Sequence, residues 1–496
     1  MDELLPEFES CYRALAARDA RFDGMFYTAV KTTGIYCRPV CPARTPRRSS
    51  CNFFSTAAAA ERAGFRPCLR CRPELAPGRA DFGATLAQSI YHRIVDGALD
   101  QVSLERLAEQ VGVSTRHLRR LLVNHFGVTP VEIASTQRLL FAKKLLHETH
   151  LGMTEIAMAS GFGSVRRFNA AFLEHYRLAP SKLRRLASTA QREEDAIKLR
   201  LDYRPPFDAK HWLRYLSARA TAGVEAGDET FYRRTIRVVH GDATIKGWFM
   251  VRADDQRNAL EITLPVILTP VLLPVVQRIR RLLDLDADCM RIGEHLAQSP
   301  LLAPLVEDAR TLRVLGAWDP FELAVRTILG QQVSVRGAST LSGRLAAALC
   351  EKTVQPYPDM TRLPLRDTDL LAASLEELCA LGLTGQRAQT LRNLAAFSVA
   401  GGLIFDPFTP LDQIVERLCS VSGIGPWTAQ YVAMRGYGQA DAFPGGDLGL
   451  RQAVARRSGD PTDLPSIRQL ETMAEAWRPW RGYAASALWA SLHSET

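Results

Sequence analysis

The sequence predicts a multi-domain α+β protein, and three observations predict it. At 496 residues the chain is too long for one ordinary core, so about two to four domains are expected. Five of the ten cysteines fall between positions 37 and 71, which marks off a small unit near the N-terminal end. At about residue 199 helical periodicity gives way to alternating, strand-like segments, and after 275 the pattern is mainly helical again.

Composition narrows the class. The apolar fraction is 47% and the charged fraction 23%, as in ordinary soluble globular chains. The net charge of +9 is uneven: residues 1–197 hold 28 Lys and Arg against 20 Asp and Glu, and the rest is nearly balanced. That excess points to a nucleic-acid-facing N-terminal part. "MDELLPEFES" lacks the basic-then-apolar pattern of a signal peptide. The most apolar run, "ITLPVILTPVLLPVV", is 15 residues long and broken by Pro265, Pro270 and Pro274, too short and interrupted to span a membrane. A cytosolic protein is expected, with cysteines serving as thiols or metal ligands rather than in disulfides.

The first unit, residues 1–80, carries the cysteine cluster. Cys37 and Cys41 form C-x3-C, Cys68 and Cys71 form C-x2-C, and 26 residues separate the pairs. This spacing fits a tetrahedral four-sulfur zinc site. Cys51 stands alone between the pairs and is assigned no role. The other five, Cys11, Cys289, Cys350, Cys379 and Cys419, read as small buried hydrophobes. Arg38, Arg44, Arg47 and Arg48 crowd the cluster, with Lys31 before it and Arg62 after.

"FYTAVKTTGIYCRPVCPAR" followed by "GFRPCLRCRPE" resembles the methyl-phosphotriester-accepting domain of the bacterial Ada family. The resemblance implies that Cys37 is both zinc ligand and methyl acceptor. It makes Cys41, Cys68 and Cys71 the other ligands and lays Thr33, Arg44 and Arg66 against the DNA backbone. Zinc keeps such sulfurs deprotonated and nucleophilic at neutral pH. Four thiolates on Zn2+ carry a formal charge of about −2; methylating one leaves about −1, so the basic rim then meets phosphates with less opposition.

The second unit spans 85–186. "VSLERLAEQVGVSTRHLRRLLVNHFG" has the spacing of two short helices around a turn: Leu104, Leu107 and Ala108 share a face, Gly112 breaks the helix, and Ser114 caps Thr115–Phe126. A second such unit, "MTEIAMASGFGSVRRFNAAFLEHY", has Ile156 and Ala157 on one face, Gly161 in the turn and Ser164 as N-cap; the helix Pro130–Glu148 joins the two. The repeat resembles the AraC-type DNA-binding domain. That family places two recognition helices in successive major grooves, about 34 Å apart. Arg116, His117, Arg119 and Arg120 are the implied contacts on the first helix, and Arg166, Arg167 and Asn169 on the second.

"ASTAQREEDAIK", residues 187–198, reads as a polar linker. Beyond it, "LRLDYRPPFDAKHWLRYLSARA" reads as strand then helix, and "ETFYRRTIRV", "ATIKGWFMVRA" and "NALEITLP" alternate like antiparallel strands. In "LCSVSGIGPWTAQYVAMRGYG" the G-I-G between helical stretches is a helix-hairpin-helix, whose Gly423 and Gly425 let backbone amides approach a DNA phosphate. "AFPGGDLGLRQ" follows about twenty residues later. With "FELAVRTILGQQVSVRGA" and "WRPWRGYAASALW", these segments resemble AlkA-type 3-methyladenine glycosylases over 199–496, with a sheet lobe at 199–280 and a catalytic lobe at 281–496.

That resemblance makes Asp447 the catalytic carboxylate, beside the sugar carbon as an alkylated purine departs, and leaves Asp441, six residues earlier, a structural part. Trp427 stands where bifunctional relatives carry a Schiff-base lysine, which implies a monofunctional enzyme. Trp427, Tyr431 and Trp480 are the implied aromatic pocket for a flipped, cationic base. By analogy with other helix-hairpin-helix proteins, the carbonyls of Cys419, Val421 and Ile424 hold a monovalent cation. Three departures bear on base range and flipping: Gln332 where the family has an apolar wedge, Leu448 where it has a tyrosine, and Gly445-Gly446 where it has stiffer residues.

The expected whole is a small zinc-bound α/β sensor, an all-α double helix-turn-helix, and an antiparallel-sheet lobe with a helical helix-hairpin-helix glycosylase domain. Its expected partners are double-stranded DNA, promoter DNA and RNA polymerase, with no membrane. Two reading heads in one chain remove the need for a dimer, so a monomer in the bacterial cytoplasm, at the nucleoid, is expected. The rival reading is a transcription factor whose glycosylase fold only grips DNA.

Overall fold

The computed structural model describes residues 5–78, 86–186, 196–254, 256–405 and 409–492. The first unit is a sheet of four short strands, β1 (Tyr27–Val30), β2 (Ile35–Cys37), β3 (Cys51–Phe54) and β4 (Arg66–Pro67), in the order β3-β1-β2-β4. β1 runs antiparallel to β2 and β3, and β2 runs parallel to β4. Gly34, at φ +66°, supplies the left-handed turn that returns the chain from β1 into β2. So small a sheet buries little by itself. Its core of Ala29, Tyr36, Ala57 and Ala60 is completed by Leu140, from the next unit.

The helix-turn-helix units form where the caps put them. Ser114 accepts from the His117 amide and Ser164 from the Arg167 amide, both at 3.2 Å, fixing the starts of Thr115–Phe126 and Val165–Tyr176. Gly112 and Gly161 take positive φ in the turns. The joining helix Pro130–Glu148 opens with a Thr129–Glu132 capping box, and eight consecutive residues of it, Leu139–Leu146, are buried. A helix buried on every side needs a different partner on each. Ile133 and Ala134 enter the core of the first helix-turn-helix, Leu140 closes the small sheet, and Leu139, Phe141 and Leu145 face the second helix-turn-helix.

The sheet lobe has five strands, β5 (Ala196–Asp202), β6 (Glu225–Gly227), β7 (Phe231–His240), β8 (Ala243–Asp254) and β9 (Ala259–Pro265), antiparallel in the order β5-β9-β8-β7-β6. β5 starts three residues before the expected boundary because Ile197 continues the inward alternation of Leu199 and Leu201 and pairs with Leu264. The last three residues of the expected linker are therefore strand, and the remainder lies outside the described residues, as does the boundary expected between 80 and 85. The apolar run becomes the end of β9, a 3-10 turn at Val266–Val271 and the helix Leu272–Leu282, with Pro274 in the first turn, where no helical amide bond is lost. Among the described residues no helix is long and apolar enough to cross a membrane.

Helices from Cys289 onward build two further cores, one around Ile328, Leu391 and Val432, the other around Ile292, Leu450, Trp477 and Leu488. The sheet lobe does not keep a core to itself. Phe141 and Leu145 of the joining helix, Ile156, Phe168 and Phe172 of the second helix-turn-helix and Leu199, Ile262, Leu264 and Leu268 of the sheet lobe belong to one continuous core. Each such side chain contributes about 1.5–3 kcal/mol when fully buried. Residues 196–496 expressed alone should therefore melt about 5 °C or more below the corresponding transition of the full chain in calorimetry. Equal melting temperatures would contradict the shared core.

Candidate functional site

The parallel pairing of β2 with β4 brings the two cysteine pairs together: Ile35 lies opposite Arg66, and the Cys68 amide donates to the Tyr36 carbonyl at 2.9 Å. Cys37 ends β2, Cys41 follows in a turn, and Cys68 and Cys71 follow β4. Their four sulfurs all lie within 4.8 Å of one another. A tetrahedral Zn2+ with bonds of about 2.3 Å fits such a set of donors, and the cluster is a zinc site.

The four sulfurs are not equivalent. The Arg38 amide donates to Cys71 Sγ at 3.3 Å, the Arg70 amide to Cys68 Sγ at 3.4 Å, and the Ala43 amide to Cys41. Among the described residues no backbone amide donates to Cys37, and Cys37 is partly exposed where the other three are buried. Cys51 lies apart in β3, with burial pushing its thiol up.

Of the basic residues around the cluster, Arg44 and Arg66 are exposed, as is Thr33 on the turn before β2. Arg38 is not on that rim. It is 5% exposed and forks onto Asp23, with Nε to Oδ1 at 2.9 Å. Arg48 pairs with Glu9.

On the recognition helices, Leu118, Leu122 and Phe126 turn inward on the first, and Phe168, Phe172 and Tyr176 on the second. That leaves Arg116, Arg119, Arg120, Arg166, Arg167 and Asn169 exposed. His117 is partly buried, with its Nδ1 3.1 Å from Arg120 Nη2.

The helices Leu411–Cys419 and Pro426–Gly436 form the hairpin around G-I-G. Gly423 has φ +96°, and a Cβ there would lie 2.0 Å from Thr390 Oγ1, so only glycine fits. Gly425 is the N-cap of the second helix, open to solvent. Asn393 Nδ2 donates to the Ser422 carbonyl at 3.2 Å, holding the hairpin to its neighbouring helix.

Asp447 is the N-cap of the helix Leu448–Arg457, and its Oδ1 accepts from the Leu450 amide at 2.9 Å. Trp489 Nε1 donates to the same oxygen and Trp427 Nε1 to Oδ2, each at 2.9 Å. Three donors thus fix the carboxylate at a helix N-terminus, the partially positive end. Trp427 stacks on Tyr431 with ring centres 5.8 Å apart, and Tyr431 meets Trp489 edge-on at 5.9 Å. Arg435 Nη1 donates to the Tyr431 hydroxyl at 2.7 Å.

Trp480 does not join this group. It packs beside His295, ring centres 4.8 Å apart, and the third aromatic at the carboxylate is Trp489. The expected segment ended on Trp489, but an indole N–H aimed at Asp447 depends on helix packing that spacing does not report. Asp441 is tied to Arg478 and Arg481, with Arg481 Nε to Oδ1 at 2.9 Å, a structural arrangement. Gln332 is exposed at φ +55°, on the turn between the helices Pro320–Leu329 and Val335–Leu349. Leu448 is 55% exposed beside Asp447.

A zinc-thiolate unit, a double helix-turn-helix and a helix-hairpin-helix lobe presenting a carboxylate define a DNA-binding repair protein. Four families match in chain order: "Metal binding domain of Ada" over 10–74, "Helix-turn-helix domain" over 107–186, "AlkA N-terminal domain" over 198–319, and "HhH-GPD superfamily base excision DNA repair protein" over 325–481. The chain is 38% identical to the "Probable bifunctional transcriptional activator/DNA repair enzyme AlkA" of Mycobacterium tuberculosis, over 98% of this chain and 97% of that one. It belongs to that family of bifunctional transcriptional activator/DNA repair enzymes. Over 58% of its length it is 32% identical to DNA-3-methyladenine glycosylase 2 of Escherichia coli, covering 95% of that protein. A solved 3-methyladenine DNA-glycosylase from Archaeoglobus fulgidus shares the fold over 60% of this chain and 99% of its own, with a TM-score of 0.51 at 19% identity.

Cys68→Ala should lose the zinc and unfold the first unit, because binding and folding are coupled in so small a sheet. Cys51→Ala should keep both. Metal analysis and circular dichroism check this.

Proposed function

We propose that this chain senses methylated DNA through Cys37, activates repair genes through its helix-turn-helix units, and excises alkylated bases such as 3-methyladenine at Asp447. The observation that carries the excision reading is the Asp447 carboxylate held by Trp427, Trp489 and its own helix amide beside a stacked aromatic wall. A purely regulatory protein has no use for that arrangement.

At the first site, bound zinc keeps the sulfurs as thiolates. Cys37, the partly exposed sulfur to which no backbone amide donates among the described residues, directs its lone pair at the methyl carbon of a phosphotriester. The S–C bond forms as the C–O bond breaks, and the phosphodiester leaves with its negative charge restored. Thr33, Arg44 and Arg66 hold the backbone for in-line attack. The cysteine becomes a thioether and does not turn over. DNA binding then tightens as the cluster loses one negative charge. Arg116, His117, Arg119, Arg120, Arg166, Arg167 and Asn169 read or grip promoter DNA, and RNA polymerase is the partner recruited. The protein works as a monomer in the cytoplasm, at the nucleoid.

At the second site, the hairpin amides at Gly423 and Gly425 grip a phosphate, and the carbonyls of Cys419, Val421 and Ile424 would hold a monovalent cation that adds positive charge beside it. Gln332 enters the duplex as the base flips out. Trp427, Tyr431 and Trp489 take the electron-poor base on their faces. The N-glycosidic bond breaks with its electron pair going to the base, which leaves neutral. The anionic Asp447 stabilises the positive sugar until water adds and its proton is lost. Residue 427 offers no amine, so the product is an abasic site without strand cleavage.

Asp447→Asn should lower release of 3-methyladenine about 100-fold or more in a single-turnover assay while DNA binding survives. Trp489→Phe keeps an aromatic ring but deletes the indole N–H, and should cost about tenfold. Full activity in Asp447→Asn refutes the mechanism. Mass spectrometry after exposure to methylphosphotriester DNA should find the methyl on Cys37 alone. Promoter affinity should then rise about tenfold at fixed salt. A methyl on Cys51, or unchanged affinity, removes the switch.

A further inference from the structure

The zinc cluster is braced from outside its own unit. Arg38, next in sequence to Cys37, donates its amide to Cys71 Sγ at 3.3 Å and its Nη1 to the Cys71 carbonyl at 3.2 Å. Its guanidinium is held between two carboxylates: Asp23 of the same unit, and Asp202 at the end of β5 in the sheet lobe, with Nη2 to Oδ2 at 3.1 Å. The side chains of Arg38 and Asp202 are 6% and 12% exposed. Asp202 is itself fixed, by Arg200 Nε on Oδ1 at 2.7 Å and by Arg280 Nη1 on its carbonyl at 3.1 Å. A second brace reaches Cys68, whose carbonyl accepts from Lys143 Nζ of the joining helix at 3.1 Å.

We infer that Asp202, a residue of the glycosylase half, is a positioning residue for the methyl acceptor, acting through Arg38 on the backbone and sulfur of the Cys37–Cys71 face. This rests on Cys37 being the acceptor. Arg38 is buried and turned from the exposed Arg44 and Arg66, so the brace sets the geometry of the cluster and not the grip on DNA. Substituting Asn keeps the shape of Asp202 but removes the charge facing the guanidinium. Arg38 is then left with one carboxylate partner, in a place where an unmatched buried cation is costly.

The test uses the full chain and duplex DNA carrying one methylphosphotriester. Single-turnover methylation of Cys37 is followed over a range of DNA concentrations, with zinc content and 3-methyladenine release measured on the same samples. Asp202→Asn should lower the maximal methylation rate about tenfold, the scale of losing a hydrogen bond between charged groups. The half-saturating DNA concentration, the zinc content and base release should stay unchanged. Asp202→Glu should recover most of the rate, which a purely structural loss would not allow. An unchanged maximal rate in Asp202→Asn, beside a wild type that takes the methyl, overturns the inference alone. Zinc loss parallel to the rate makes Asp202 a structural residue and overturns it as well. A wild type that takes no methyl at Cys37 refutes the sensor reading itself, and the inference falls with it.

Discussion

The zinc unit, both helix-turn-helix halves and the sheet lobe meet around a helix whose second half has no solvent face. Over Leu139–Leu146 each residue of the joining helix is buried, including Lys143 and Lys144. A pattern of that kind is stable only if apolar surfaces arrive from all sides, and here they come from four neighbours: the zinc unit, both helix-turn-helix halves and strand β5. Each of these neighbours shares part of its core with that helix. The small sheet needs Leu140, and the second helix-turn-helix needs the sheet lobe.

Burial of that helix forces an electrostatic solution at its lower end. Lys143 meets Glu74 at 2.7 Å and Lys144 meets Glu148 at 3.0 Å; Arg72 also reaches Glu148, at 2.7 Å, and the Arg200 amide reaches its other oxygen at 3.0 Å. Desolvating charges offsets much of what their attraction contributes, so a buried network of this kind fixes orientation more than it adds stability. It admits one way of seating the zinc unit against β5, because any slippage leaves a carboxylate or an ammonium unmatched. Apolar contact holds the units together, and the charges decide how.

The legible part of this architecture was the part written locally. The spacing within each cysteine pair, the N-caps Ser114 and Ser164 and the G-I-G hairpin each depend on residues a few positions apart, and the structure has them where spacing puts them. What spacing could not report is contact between distant segments. "RLLFAKKLLHE" reads as part of an ordinary joining helix, and spacing alone does not show that Lys143 and Lys144 are buried. Arg38 reads as one more basic residue near DNA, although its partner Asp202 lies 164 positions away. Trp480 and Trp489 sit in one motif, and only the course of the final helix distinguishes the indole that reaches Asp447 from the one that packs on His295.

The shared core also fixes a stoichiometry and a distance. Regulator and excision enzyme are made one for one, and they are joined through packed side chains. A chain seated on DNA through its helix-turn-helix units therefore carries the carboxylate site at an offset set by packing and not by a flexible linker. Wherever the regulator half binds, one excision half arrives with it, in the same copy number and at the same fixed separation.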